Sequence, residues 1–87
     1  MIDGDQGIGG VAEPGARALR AVRAERLLSL RELAQLAGVA LGTIYLIEGG
    51  RTTPRLAVIR RLSAALAVDP RTVIEFRRAI RARGGVR

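Results

Sequence analysis

The chain has 87 residues, enough for one small domain that buries about 60–65% of its unfolded surface and is only modestly stable. It contains neither cysteine nor histidine, which excludes disulfide staples, thiol nucleophiles, imidazole acid–base chemistry and nearly all zinc sites. Its net charge is +7, and all fifteen basic residues are arginine.

That charge is unevenly spread. Residues 1–15 carry Asp3, Asp5 and Glu13 and no base, which leaves fifteen arginines against five acids, +10, on the remaining 72 residues. An excess of that size on a compact domain points to a polyanionic partner, of which nucleic acid is the commonest. No apolar run approaches the roughly 18 residues of a membrane span. The acidic, glycine-rich N-terminus has none of the features of a signal peptide, so a soluble cytoplasmic protein without membrane association is expected.

Residues 1–15 hold five glycines and a proline with neither a helical nor an alternating period, the composition of a disordered tail. The ordered domain is expected over residues 16–83, with residues 84–87 frayed. From Ala16 the pattern becomes helical: Leu19, Val22, Arg23, Arg26 and Leu27 recur at three- and four-residue steps with arginines at 17, 20, 23 and 26 around them, predicting an amphipathic first helix of about 12 residues.

Ser29 followed by Glu32 is a capping box that starts a second helix, with Leu33, Leu36 and Ala37 on its buried side. Ser29 reads as a cap rather than a ligand. Gly38 supplies the left-handed residue that ends this helix, and Val39 plugs the turn. Leu41 to Glu48 forms a third helix with Ile44 and Ile47 inward, stopped by Gly49-Gly50.

After the loop 51–54, Pro54 suits the first turn of a fourth helix running to Leu66 through Leu56, Ile59, Leu62 and Ala65. Asp69-Pro70 is a cap followed by a first-turn proline and opens a fifth, with Val73, Ile74, Phe76 and Ile80. No segment reads as a strand. An all-α bundle of five helices is the expected fold.

Within it, residues 29–48 are two short helices joined by a turn that opens with glycine, the layout of a DNA-binding helix-turn-helix. The chain resembles the phage repressor/Cro-type helix-turn-helix family, often called XRE, over about residues 19–73. The resemblance rests on Leu19-x-x-Val22-Arg23, Leu28-Ser29-x-x-Glu32-Leu33-Ala34, Ala37-Gly38-Val39, Thr43-Ile44-x-x-Ile47-Glu48-x-Gly50-Arg51, Pro54, Leu62-x-x-Ala65-Leu66 and Val68. It implies a lambda-repressor-like DNA-binding domain that binds duplex DNA as a transcriptional regulator. It also implies an ion pair between Arg23 and Glu48, for which a bidentate Arg–carboxylate bridge is good chemistry. Ala34 and Gly38 are expected to be small because the second and third helices cross there.

The resemblance places the recognition helix, about 41–48, in the major groove, with Ala40, Leu41, Gly42, Thr43, Tyr45 and Leu46 facing the bases. Here the chain departs from its relatives. Bases are read by bidentate hydrogen bonds, and this helix offers only the Thr43 hydroxyl and the Tyr45 phenol. Three readings of the apolar face stay open: DNA binding dominated by phosphates, a protein-contact patch of Leu41, Tyr45 and Leu46, or inward packing of Leu46. The phosphate candidates are Arg31 and Gln35 on the second helix, Arg51, Thr52 and Thr53 in the loop, and Arg55.

Val73, Phe76 and Ile80 are core, homodimer interface or both; a dimer through the fifth helix would set two recognition helices about 34 Å apart. The rival to DNA binding is a protein-interaction module of antitoxin or coactivator-like type that uses the third-helix face. Each carboxylate has a capping or pairing role, so no enzyme, metal site or cofactor is expected.

Overall fold

A computed structural model describes residues 14–83. Most of the tail expected at residues 1–15 and all of the frayed end at residues 84–87 lie outside the described residues. The fold is all-α: α1 (Leu19–Glu25), α2 (Leu30–Ala37), α3 (Leu41–Glu48), α4 (Leu56–Leu66) and α5 (Ile74–Ala82), with a single 3-10 turn, Pro70–Thr72, before the last.

The first four helices close in one way. In each, a residue in left-handed conformation is followed by an amide that reaches back five residues: Leu28 to the Arg23 carbonyl, Val39 to Ala34, Arg51 to Leu46 and Val68 to Ser63. The left-handed residues are Leu27 (φ 59°), Gly38 (68°), Gly50 (72°) and Ala67 (57°). Glycine takes this conformation freely, whereas for leucine and alanine it costs about 1–2 kcal/mol, so only two of the four stops are announced in the sequence.

The first helix is shorter than its periodicity predicts, seven residues rather than about twelve. Left-handed Leu27 cuts its C-terminal end and is 88% exposed, outside the apolar stripe expected to hold it. At the other end Arg17 is extended and forms an isolated parallel bridge with Val73. Arg17 donates its amide to the Thr72 carbonyl (2.9 Å) and accepts from the Ile74 amide (2.9 Å).

The same bridge delays the fifth helix. Asp69 does cap, accepting from the Arg71 amide at 2.8 Å, but what it opens is the 3-10 turn, and α5 starts only after extended Val73. Pro54 likewise lies just outside α4, whose N-cap is Arg55, and is itself buried.

The core comprises Leu19, Val22, Leu33, Val39, Ile44, Ile47, Ile59, Leu62, Leu66, Val73, Phe76 and Ala79. Leu36, expected on the buried side of α2, is 62% exposed. The buried or partly buried side chains of α2 are Leu30, Leu33, Ala34 and Ala37, a stripe at i, i+3, i+4 and i+7 that leaves Leu36 outside. Val73 and Phe76 are fully buried in the protomer's own core. Neither has surface to offer a second copy, so of the three residues considered for an interface only Ile80, half-buried, retains any.

Glu75 joins the two ends of the domain. Ala18, the N-cap of α1, has no side chain to cap with, and the Glu75 carboxylate accepts the Leu19 amide at 2.8 Å in its place. Burial pushes the Glu75 pKa up, with the Leu19 bond and Arg78 opposing the shift and Glu48 adding to it. A raised folded-state pKa means that this group's contribution is fully present below the ordinary carboxylate value and is lost as pH rises through the raised one. Exposed Asp69, whose pKa is lowered by its hydrogen bonds to Arg71, runs the other way. Glu75→Gln keeps an acceptor but cannot ionise. We predict that thermal melts compared from about pH 7 down to about pH 5 shift progressively in favour of the wild type relative to Glu75→Gln; a pH-independent difference between the two proteins contradicts this account.

Candidate nucleic-acid interface

α2 and α3 form a hinged unit. The capping box is complete: Ser29 Oγ accepts from the Glu32 amide at 3.0 Å, and Glu32 Oε1 from the Ser29 amide at 2.8 Å. α2 ends at left-handed Gly38, and after the three residues 38–40 the axis turns by 119° into α3. Val39 is buried under the turn, and Arg61 of α4 donates to the Gly38 carbonyl at 3.1 Å, tying the turn to the next layer. The role of Gly38 is conformational. A Cβ there would meet only the Arg61 guanidinium, at 3.8 Å, but φ of +68° disfavours any side chain; close crossing of the helices is not the reason for it.

α3 is held at both ends. Ile44 and Ile47 are fully buried. At its C-terminal end Glu48 receives Arg23 Nε at 2.7 Å and Nη2 at 2.9 Å, a bidentate pair reaching back to α1. Arg23 Nη1 also donates to the Leu28 carbonyl at 2.9 Å. The two side chains are only 14% and 6% exposed, and the paired carboxylate pushes the Arg23 pKa up further. Arg20, one turn earlier on α1, approaches Glu48 at 3.9 Å. The sequence marks Arg20 only as one of four arginines around the first helix, yet its i−3 spacing from Arg23 places it over the same carboxylate.

With Ile44 and Ile47 inward, the outer face of α3 comprises Leu41, Gly42, Tyr45 and Leu46. Leu41 and Leu46 are 38% and 39% exposed and Tyr45 61%, so Leu46 does not pack inward. Ala40 and Gly42 are exposed and Thr43 is half-buried. A Cβ on Gly42 would touch nothing within 4 Å, so packing does not demand a glycine there.

The flanking candidates Arg31, Gln35, Arg51, Thr52, Thr53 and Arg55 are all exposed. Tyr45 and Arg51 line a cleft with Arg20, Leu30, Glu48 and Gly49. Thr52 and Thr53 border another, with Glu75 and Arg78. Ala40 and Thr43 border a third, with Val58 and Arg61. The chemistry on offer is guanidinium, hydroxyl and apolar contact. Among the described residues no three His, Cys, Asp or Glu side chains gather as metal ligands would, and no single helix is long and apolar enough to cross a membrane.

A family described as a helix-turn-helix domain matches residues 16–76, more than two thirds of the chain. The chain belongs to this family. Neither the curated proteins nor the solved structures provide a match. In this helix-turn-helix domain the matched span includes the capping box, the turn, α3 and both partners of the Arg23–Glu48 pair.

Removing one partner of a covered ion pair strands the other. Glu48→Ala is therefore expected to cost about 3 kcal/mol in urea unfolding, while Arg23→Met combined with Glu48→Leu stays within about 1 kcal/mol of the wild type. Equal losses in the two variants contradict this account of the pair.

Proposed function

We propose that this helix-turn-helix domain is a transcriptional regulator of the repressor/Cro type that binds duplex DNA, with α3 in the major groove and the exposed Arg51 and Arg55 on phosphates. One observation carries the reading. The outer face of α3 exposes Leu41, Tyr45 and Leu46, and Arg51, which shares a cleft with Tyr45, has no side-chain partner among the described residues. Leu41, Gly42, Thr43, Tyr45 and Leu46 bring few hydrogen-bonding groups to base edges. Phosphate contacts then supply most of the affinity, and sequence preference is modest. Leu41 and Leu46 suit thymine methyl groups.

Gly42 supports this division of labour. Glycine loses more backbone freedom in a helix than alanine does, and no packing contact around Gly42 calls for it. A backbone left bare allows close approach by a partner. Gly42→Ala is expected to raise the melting temperature while weakening duplex binding; higher stability with unchanged binding would remove Gly42 from the contact surface.

Titration with a random-sequence duplex tests the main reading. Affinity falls steeply with salt, and Arg51→Ala and Arg55→Ala each lower both the affinity and the slope of log K against log salt, by about 0.9 for each phosphate that is no longer neutralised. Absence of duplex binding at about 0.05 M salt overturns it.

A second reading draws on the exposure of Leu41, Tyr45 and Leu46, which also suits a protein-contact patch of the antitoxin or coactivator-like kind. It predicts that Tyr45→Ala abolishes a protein complex while Arg51→Ala and Arg55→Ala leave it intact.

A further inference from the structure

The cleft between α1 and the C-terminal end of α3 has a volume of about 310 Å³ and is lined by Arg20, Leu30, Tyr45, Glu48, Gly49 and Arg51. Its only acid among the described residues is already engaged, since both Glu48 oxygens accept from Arg23, at 2.7 and 2.9 Å. The carboxylate is also covered, with 6% of its side chain exposed.

Arg20 lies 3.9 Å from the same carboxylate, too far for a hydrogen bond. It stands in the Glu48 field with its side chain 80% exposed and its N–H groups free to donate elsewhere. Arg51, which also lines the cleft, has no side-chain partner among the described residues. Counting the Arg23–Glu48 pair as neutral, the cleft holds two uncompensated guanidinium groups and a phenol hydroxyl.

We infer that this cleft is a binding site for one phosphodiester group of the duplex backbone, with Arg20 as a phosphate ligand beside Arg51 and the Tyr45 hydroxyl. The inference rests on the DNA-binding reading and extends its footprint from α3 and the 51–55 segment onto α1. Guanidinium groups and a phenol are all donors, which matches an acceptor-only anion. Tyr45 and Arg51 belong both to the cleft and to the proposed DNA face, so a backbone strand following that face passes the cleft mouth. The Arg23–Glu48 pair has a second consequence here. By occupying both Glu48 oxygens it offsets the charge that would otherwise hold Arg20 more closely and repel a phosphate. The contact carries no base information, and its contribution is the same on every sequence.

The test compares Arg20→Ala with Arg60→Ala, which removes the same charge from an exposed position on α4 outside the cleft. Both variants and the wild type are titrated with a random duplex over a salt series, with melting temperatures measured in parallel. Arg20→Ala is expected to weaken binding about five- to tenfold at about 0.1 M salt, roughly 1–1.4 kcal/mol. It should also reduce the log–log salt slope by about 0.9 and leave melting unchanged, while Arg60→Ala has a smaller effect on both binding readouts.

Equal effects of the two substitutions would assign the loss to general charge and overturn the cleft site. Wild-type binding by Arg20→Ala, with Arg51→Ala still impaired, overturns the role of Arg20 and leaves the DNA reading standing. A wild-type protein that binds no duplex overturns the DNA reading and this site with it.

Discussion

Arg23 makes three hydrogen bonds, two to the Glu48 carboxylate and one to the Leu28 carbonyl, and the placement of α3 depends on them. An eight-residue helix has no independent stability in water. α3 buries only Ile44 and Ile47 fully, two side chains that set its depth but do not fix its rotation. The bidentate bridge removes that freedom at the C-terminal end, and buried Val39 with the Arg61–Gly38 bond removes it at the N-terminal end. The Leu28 bond brings the α1–α2 connection into the same knot. A planar guanidinium suits this role because it satisfies three acceptors in fixed directions, which an ammonium cannot do with the same geometry.

Because the inner side of α3 is so fully committed, its outer side is free. Leu41, Gly42, Tyr45 and Leu46 lie outside the buried core, and their exposure costs the isolated protomer the hydration of apolar surface. The surrounding positive charge is all guanidinium, since the chain has no lysine or histidine. A surface with few base-reading groups and many phosphate-reading ones has affinity in excess of selectivity. That physical balance sets the function proposed for the domain apart from that of a regulator with a polar recognition helix.

The parts of the fold legible in the sequence are those stabilised locally. Ser29 and Glu32 close a capping box within four residues, and Gly38 takes a conformation that other residues adopt only at a cost, so α2 and its turn follow from spacing alone. Ile44 and Ile47 are equally plain, since α3 has a double-glycine stop and two obvious inward positions. The expectations that fail are those in which an apolar period is overridden by the backbone or by packing. Leu27 and Leu36 satisfy a helical apolar period, but one lies on a left-handed stop and the other one step past the buried stripe. Val73 satisfies the period of a fifth helix, but its backbone pairs with Arg17 instead, and that pairing postpones α5. Arg20 carries no signal beyond its spacing from Arg23.

By itself the sequence determined an all-α domain of five helices, the helix-turn-helix at its centre and the strongly basic character of its ordered part. Each of these follows from interactions within a few residues or from composition. Tertiary structure alone decided that Val73 and Phe76 belong to the protomer's core, that Glu75 caps a helix 56 residues away, and that Arg20, Tyr45 and Arg51 share one cleft. Those outcomes depend on which surfaces meet, and the hydrophobic term that brings surfaces together is non-directional. The sequence pattern specifies that a side chain is buried or charged, and the packed chain specifies against what.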